Sequence, residues 1–202
     1  MVHVYAARIP GARHDHREQS RWAYRLLEMA LQKEYPKICT PVLVQKNNEG
    51  KPFLKEYPRI HISISHSGAY VACALGEKSV GVDVEAWKKR SKQERIVEKL
   101  HPLERELFYG TEEAEKEEVF YGLWVLKESF LKAEGSGLRI PLSAFRVYVV
   151  PGITKRVDQT LHEHTYYTRL YAVEEEGVSL AVCTEEPELA ERPFWIAFPE
   201  SV

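Results

Sequence analysis

Valine occupies every second position between residues 80 and 84, and this alternation strongly limits what this part of the chain can fold into. β-Branched side chains at alternate positions favour a β-strand with one buried face. Successive side chains of a strand point to opposite faces, so Asp83 and Glu85 should emerge together on the face opposite the valines. The segment Gly81–Glu85 therefore predicts a strand with one apolar face and one acidic face.

A second segment, Trp124–Lys132, has the composition of an α-helix and is followed closely by a Gly-Ser-Gly sequence. Trp124, Glu128 and Lys132 are each four residues apart, a spacing that puts them on one face of a helix. Glycine just beyond the last helical residue is a common stop signal. We predict a helix over residues 118–133, with Trp124 as a core residue that fixes it.

The two segments together predict a site where a divalent cation holds a phosphate. Asp83, Glu85 and Glu128 supply three hard oxygen donors, which Mg²⁺ prefers, and Lys132 lies one helical turn from Glu128. Each segment alone also fits a solvated surface, as an acid pair on a strand or a Glu–Lys pair on a helix. The metal-and-phosphate interpretation is preferred because both patterns occur in one chain.

Length and composition exclude several classes of protein. The chain has 202 residues, 44% of them hydrophobic and 29% charged, which fits one large domain or two small ones. The net charge of −2 argues against bulk nucleic-acid binding, which needs a basic surface. No apolar run approaches the roughly 20 residues that span a bilayer. Because the first residues also read as a strand and lack the apolar core of a signal peptide, we expect a cytoplasmic protein without nucleic-acid or membrane partners.

The three cysteines, Cys39, Cys73 and Cys183, lie far apart and form no C-x-x-C pair. Cys73 and Cys183 lie in apolar, strand-like runs, and we predict that both are buried thiols. This usage argues against a disulfide framework, a structural zinc site and a thiol redox motif.

The predicted elements repeat one order, a helix followed by three strands. The long helices are predicted over 17–33 and 118–133, with a shorter one over 92–100. The strands are predicted over 61–65, 69–75, 79–85, 144–150, 166–173 and 178–184. This order indicates an α+β fold of two similar halves, residues 1–78 and 79–202, each with a small antiparallel sheet and a long helix. A site with residues from both halves would lie in the cleft between them. The tail after residue 185 should be irregular.

Two polar segments before the acidic strand suit the same site. Lys51 follows a turn and precedes the rigid Pro52, while Ser65 and His66 lie near the tip of a predicted hairpin. An ammonium group, an imidazole and hydroxyls near a carboxylate-bound metal form a reasonable receptor for a polyphosphate.

These motifs, in this order, resemble those of the 4'-phosphopantetheinyl transferases of the surfactin-synthetase-activating, Sfp-like type. The family patterns G-[IV]-D-[IV]-E and W-x-x-K-E-[SA]-x-x-K appear here as G-V-D-V-E and W-V-L-K-E-S-F-L-K. The preceding G-K-P and I-S-H-S-G elements match at 50–52 and 64–68, and E-G-x-G-L with the following P-L and F matches within Glu134–Phe145. The resemblance covers roughly residues 17–185.

The resemblance implies a monomer whose two α+β halves are related by a pseudo-twofold axis, with coenzyme A and Mg²⁺ in the cleft. The activity would be transfer of 4'-phosphopantetheine from coenzyme A to a serine of an apo peptidyl or acyl carrier protein, with release of adenosine 3',5'-bisphosphate. The implied metal ligands are Asp83, Glu85 and Glu128. The implied coenzyme A contacts are Arg17, Lys51, Ser65, His66 and Lys132. The implied catalytic residues are Glu128, Lys132 and Glu104.

Some alternatives stay open from the sequence. The base that deprotonates the serine could be Glu128, Glu104 or a metal-bound water. The basic segment Lys88–Arg95 is a candidate docking face for an acidic carrier protein. Two other functions compete with the transferase: a Mg²⁺-dependent nucleotide phosphohydrolase, which would need no carrier, and a non-catalytic module that binds coenzyme A or carrier proteins.

Overall fold

Two helices of 19 residues each pack against their own four-stranded sheet. A computed structural model describes residues 1–11, 15–88, 93–173 and 177–198 of the chain. The helices are α1 (His16–Glu34), α2 (Gln93–Val97), α3 (Pro102–Gly110) and α4 (Lys116–Glu134). The strands are β1 (His3–Arg8), β2 (Val44–Lys46), β3 (Pro52–Leu54), β4 (His61–Ser67), β5 (Tyr70–Gly76), β6 (Val80–Ala86), β7 (Phe145–Arg146), β8 (Thr154–Arg156), β9 (Asp158–Gln159), β10 (Tyr167–Tyr171), β11 (Val178–Thr184) and β12 (Phe194–Ala197).

The first sheet has the strand order β12–β1–β5–β4 and is covered by α1. The helix begins behind Asp15, whose side chain accepts a hydrogen bond from the backbone N–H of Glu18 at 2.8 Å, as a helix N-cap does. Its buried stripe of alanines and leucines includes Ala23, Leu27 and Leu31. Since this stripe packs on the sheet, α1 is fixed over β5 and the edge strand β4.

The second sheet has the order β6–β11–β10–β8, is antiparallel throughout and is covered by α4. After its acidic first turn, α4 is largely buried against β6 and β11. The helix ends at Gly135, whose φ of 90° is the left-handed conformation that glycine adopts without steric cost. The edge strand β6 therefore lies directly under the helix that carries the second predicted motif.

A third apolar cluster joins the two sheets. The valines of β6 pack in this cluster with Val4 and Ala6 of β1 and with Ala72 and Ala74 of β5. The predicted apolar face of β6 is therefore buried between the sheets. The opposite face, with Asp83 and Glu85, is left to α4 and to the edge strand β4.

The predicted α+β class is confirmed, and the main differences lie in the C-terminal part of the chain. Residues 194–197, which we expected to be irregular, form β12 and pair with β1 in parallel. The predicted strand over 144–150 shortens to the two residues of β7, and α3, β8 and β9 were not predicted. These segments are short, and pairing with distant strands decides their structure more than local pattern does.

The range 79–202 contributes to both sheets, because β12 returns the chain to the first sheet. We retain the division at residue 78 as a proposal for the two helix-and-sheet units. Cys73 and Cys183 are buried and all three cysteines are free thiols, as predicted. Among the described residues, no helix is both long and apolar enough to cross a lipid bilayer.

Candidate active site

A cavity of about 460 Å³ opens between α1, β4, β6 and α4, where the two halves of the molecule meet. One face of α1 contributes His16, Ser20 and Tyr24, which are four residues apart. The ionisable side chains that line the cavity are His16, Tyr24, Lys46, Glu49, Lys51, His66, Asp83, Glu128 and Lys132. The cavity thus combines cationic groups with three carboxylates, two of which, Asp83 and Glu128, come from β6 and α4.

Gly81 permits the close approach of β6 and α4 that builds this site. A Cβ atom at residue 81 would lie 2.0 Å from the carbonyl oxygen of Ser129 and 2.4 Å from the backbone nitrogen of Ala133. No real Cβ atom tolerates such distances, so another residue here would push the helix away. The glycine of the G-V-D-V-E motif therefore permits the short distance between β6 and α4.

Asp83 lies at the centre of the polar contacts. Its Oδ1 accepts hydrogen bonds from the Ser65 hydroxyl and from Lys132 Nζ, both at 2.7 Å. Its Oδ2 is buried and has no hydrogen-bond partner among the described residues. Burial raises the pKa of the Asp83 carboxyl, and the ammonium group of Lys132 opposes that rise. The unpartnered oxygen is a ready acceptor for a cation or a proton.

Glu128 lies one helical turn before Lys132 and also lines the cavity. Burial raises the pKa of Glu128 to about 7, with a further contribution from the negative charge of Asp83. The negative charge of each carboxyl group disfavours ionisation of the other. A nearby cation lowers this repulsion and lets both groups be ionised together. This is the electrostatic pattern of a site that binds a cation or holds a proton near neutral pH.

Glu85 is held by donors on both sides of its carboxylate. The Ser67 hydroxyl donates to Oε2 at 2.6 Å, and the indole N–H of Trp124 donates to Oε1 at 3.2 Å. The sequence predicted Trp124 only as a core residue, and its hydrogen bond to Glu85 was missed. The shared helical spacing of Trp124 with Glu128 and Lys132 was the available signal for it.

Lys51 lines the cavity, but its ammonium group is engaged at the end of α4. Its Nζ donates to the Ser79 hydroxyl and to the carbonyl oxygen of Ala133, both at 2.5 Å. That carbonyl lies at the C-terminal end of the helix, where the helix dipole is negative. Burial lowers the pKa of Lys51 to about 8. A contact of Lys51 with a phosphate remains a prediction.

His66 and His16 bring β4 and α1 together at the cavity wall. Their rings meet edge to face with centroids 4.8 Å apart. Burial lowers the pKa of His66, and His16 and Lys132 lower it further. Nδ1 of His66 is buried without a hydrogen-bond partner among the described residues. An anion in the cavity would find an unsatisfied imidazole here.

Arg17 does not join this group. Its side chain is exposed and is not among the residues that line the cavity, and its contact with coenzyme A remains a prediction. Adjacent residues of a helix point about 100° apart, so α1 can direct either His16 or Arg17 into the cavity. The structure directs His16.

Glu104 lies away from the cavity. It is 1% exposed and belongs to the buried face of α3, with its carboxylate bonded to Lys127 Nζ at 2.7 Å and to the backbone N–H of Val147 at 2.7 Å. It also accepts a hydrogen bond from the backbone N–H of His101, which closes the capping box of α3. Three donors and almost complete burial argue against Glu104 as the base for a docked serine. Glu104 forms a structural ion pair with Lys127, a residue for which the sequence predicted no role.

The donor chemistry fits a hard divalent cation, although the three acids are not gathered around one point. Among the described residues, no group of three or more His, Cys, Asp and Glu side chains is arranged to hold a metal ion. Asp83 and Glu128 nevertheless line one cavity, and Asp83 Oδ2 lacks a partner. Carboxylate oxygens are the ligands that Mg²⁺ prefers. Lys132 Nζ occupies the space beside Asp83 that a cation would share.

Half of the predicted docking segment lies outside the described residues. Lys89, Arg90 and Lys92 fall in the range 89–92, which the structure does not describe. Lys88 is exposed at the end of β6, and Arg95 lies in α2. The segment therefore remains a candidate on sequence grounds.

Comparison with known proteins identifies similar sequences. The profile of the 4'-phosphopantetheinyl transferase superfamily matches residues 79–183, the range that contains β6 and α4. The 4'-phosphopantetheinyl transferase Sfp of Bacillus subtilis (strain 168) is 29% identical over 87% of this chain and 77% of its own length. The 4'-phosphopantetheinyl transferase ffp of Bacillus subtilis is 31% identical over 82% of this chain and 73% of its own length. The 4'-phosphopantetheinyl transferase gsp of Aneurinibacillus migulanus is 37% identical over 52% of this chain and 43% of its own length.

Proposed function

Because this chain belongs to the 4'-phosphopantetheinyl transferase superfamily, we propose that the cavity between α1 and α4 binds coenzyme A and transfers its 4'-phosphopantetheine group. The protein is a 4'-phosphopantetheinyl transferase, and its acceptor is a serine of an apo carrier protein. The other product is adenosine 3',5'-bisphosphate. Peptidyl and acyl carriers are the proposed acceptor class.

The observation that carries this proposal is the convergence of Lys132, Asp83 and Glu128 on one cavity. Phosphoryl transfer needs positioning and neutralisation of negative charge more than covalent catalysis. Lys132 supplies a fixed positive charge, and Ser65 holds it together with Asp83 through its hydroxyl. The site is therefore built to offset charge on a phosphate rather than to attack it.

The cationic lining suits the phosphate groups of coenzyme A. Lys46, Lys51, His16 and His66 lie around the same cavity as Lys132. The unpartnered Nδ1 of His66 can donate to a phosphate oxygen when the ring is protonated or in the appropriate tautomer. Direct binding of phosphates by Lys51, Ser65, His66 and Lys132 belongs to this proposal.

Asp83, Glu85 and Glu128 are the residues that would hold Mg²⁺. When bound, this ion neutralises negative charge on the diphosphate of the substrate. The carboxylates supply only oxygen donors, and Asp83 Oδ2 is buried without a partner, which supports this choice of ion. Lys132 must then shift its ammonium group from Asp83 toward the phosphate.

The transfer step forms a bond between the serine Oγ and the phosphorus of phosphopantetheine. The bond from that phosphorus to the oxygen of adenosine 3',5'-bisphosphate breaks, and Lys132 stabilises the charge that develops on this leaving group. The serine proton must pass to a base. Glu128, with its pKa raised to about 7 by burial, fits this task, and a water molecule is the alternative. The buried ion pair of Glu104 with Lys127 argues against Glu104 as this base.

The remaining expectations about the cellular context are proposals of the same kind. We place the enzyme in the cytoplasm as a monomer with coenzyme A and a carrier protein as partners, without nucleic acid or membrane. The basic segment 88–95 is the proposed docking face for the carrier, because opposite charges steer association.

Incubation with coenzyme A, Mg²⁺ and an apo carrier protein, followed by intact-mass analysis, tests the function. We expect the carrier to gain one phosphopantetheine and adenosine 3',5'-bisphosphate to appear in equal amount. Release of inorganic phosphate without carrier would instead indicate a nucleotide phosphohydrolase. Coenzyme A binding with neither product would indicate a non-catalytic module.

A further inference from the structure

The carboxylate of Glu85 is clamped between the two halves of the molecule. Ser67 Oγ reaches it from β4 of the first sheet at 2.6 Å, and Trp124 Nε1 reaches it from α4 at 3.2 Å. Each donor binds a different oxygen of the carboxylate.

The contact with Ser67 belongs to a regular pattern between two strands. Ser65 and Ser67 are two residues apart on β4, and Asp83 and Glu85 are two residues apart on β6. Ser65 donates to Asp83 at 2.7 Å, and Ser67 donates to Glu85 at 2.6 Å. Both serines are buried, so these hydroxyls are directed at the acids rather than at solvent. Side chains two residues apart lie on the same face of a strand, so the two serines of β4 each face one of the two acids of β6.

The indole contact gives the same acid a second restraint. Trp124 lies on the helix face that also carries Glu128 and Lys132, so its ring stands at one end of the site. An indole N–H is only a donor and cannot compete with the carboxylate for a cation. The contact therefore restricts the orientation of Glu85 without occupying the metal position.

We propose that Ser67 and Trp124 are positioning residues that fix the orientation of Glu85 for binding a divalent cation. This inference rests on the proposed function. Groups that hydrogen-bond to a metal ligand orient it and adjust its affinity for the ion, and their loss typically costs about 10- to 100-fold in metal affinity or activity. Neither residue is among those that line the cavity, so their effect on the reaction should pass through Glu85.

The test measures metal binding directly, with Mn²⁺ alone as the probe, in the full chain without coenzyme A. Electron paramagnetic resonance of free Mn²⁺ gives the dissociation constant for the parent and for Ser67→Ala and Trp124→Phe, and Mg²⁺ competition gives the constant for Mg²⁺. We expect each variant to bind both ions about 10- to 100-fold more weakly. Ser67→Thr keeps the hydroxyl and should bind as the parent does.

A part-buried contact between Trp87 and Ser179 provides control variants beside Glu85. Trp87 Nε1 donates to Ser179 Oγ at 2.9 Å, and Ser179 is the cross-strand partner of Glu85, but no described side-chain hydrogen bond joins this pair to a proposed metal ligand. Trp87→Phe and Ser179→Ala should leave Mn²⁺ affinity unchanged. Thermal unfolding of every variant reports whether the fold is kept, and if Trp124→Phe does not fold, Ser67→Ala against Ser67→Thr decides.

Parental Mn²⁺ affinity in Ser67→Ala and Trp124→Phe would overturn the inference, as would equal losses in the Trp87 and Ser179 controls. At saturating Mg²⁺ the transfer rate of Ser67→Ala should recover toward the parental rate, since only the affinity for the ion is impaired. Failure of the parent itself to modify a carrier would count against the proposed function, while its Mn²⁺ titrations would still decide the role of Ser67 and Trp124. Failure of the parent to bind Mn²⁺ would overturn the inference.

Discussion

Lys132 Nζ lies 2.7 Å from Oδ1 of Asp83, in an ion pair that joins the end of α4 to β6. The carboxylate is 7% exposed, whereas the lysine side chain is 31% exposed and faces the cavity. The ammonium group donates to Asp83, to Ser65 and to the carbonyl oxygen of Val82, so a ligand in the cavity must replace one of these acceptors. In the free protein burial raises the pKa of Asp83, and the positive charge of Lys132 opposes that rise.

Lys132→Ala should reduce kcat by about 10²–10³, the usual loss when one electrostatic contact to a transition state is removed. The change in coenzyme A affinity should be modest, because the contact strengthens as charge develops. Lys116→Ala is a matched control, since Lys116 is on the same helix and its side chain is 30% exposed. A kcat for Lys132→Ala near that of the control would show that Lys132 takes no part in the transfer.

Lys51 should make coenzyme A binding sensitive to alkaline pH. Burial lowers the pKa of Lys51 to about 8 in the free protein, so the cationic form is lost as the pH rises through this value. A bound phosphate favours the protonated form, so the dissociation constant of coenzyme A should increase above pH 8. Calorimetric titration across this range measures it.

Lys51→Arg should remove this pH dependence, because a guanidinium group stays protonated throughout the range. Lys46→Arg, at an exposed lysine of the same cavity, should keep the parental profile. The same alkaline loss in Lys51→Arg as in the parent would assign the effect to another group.

Gly81→Ala should destabilise the protein and impair transfer together. The added Cβ would lie 2.0 Å from the carbonyl oxygen of Ser129, so α4 must move away from β6. Overpacking of this kind costs about 1–3 kcal/mol, and occasionally more, in the free energy of unfolding. Urea denaturation measures the loss. Gly110→Ala, where no atom lies within 4 Å of the added Cβ, should unfold at the parental urea concentration.

Glu104→Gln should lower stability without changing the chemistry of the folded enzyme. Removing one charge from a buried ion pair typically costs about 3–5 kcal/mol, because the remaining charge of Lys127 is left without its partner. Urea denaturation should show this loss, and Glu106→Gln, at an exposed position of the same helix, should not. A kcat that falls far below the parental value under conditions where Glu104→Gln is fully folded would restore a catalytic role for Glu104.

The sequence predicted the parts of the site that depend on local periodicity. The valine alternation of β6 and the four-residue spacing in α4 predicted which side chains share a face, and both elements have nearly the predicted bounds. Local patterns could not show which face of α1 turns to the cavity, because the packing of the helix on β5 decides it. His16 was therefore missed, and the contact of Arg17 with coenzyme A stays a prediction.

Contacts between distant segments explain the other differences. In the sequence, Glu104 resembles an acid of the family motif. Only the fold shows that Lys127 and the backbone N–H of Val147 donate to its carboxylate. The strand β12 forms because β1 offers an open edge, which no local pattern in residues 194–197 reveals. Trp124 shares its helix face with two predicted site residues, and its hydrogen bond with Glu85 depends on the separation that Gly81 permits.

The most direct test of the central claim is the single-turnover conversion of an apo carrier by Asp83→Asn, followed by intact mass at saturating coenzyme A and Mg²⁺. Asparagine keeps the shape and an acceptor for Ser65 but removes the charge that Lys132 and a cation share. Asp158→Asn, at an exposed aspartate, is the control. We predict that the carrier stays unmodified with Asp83→Asn, while coenzyme A still binds and the fold is kept. Conversion by Asp83→Asn at the rate of the parent and of Asp158→Asn would contradict the assignment of this cavity as the transferase site.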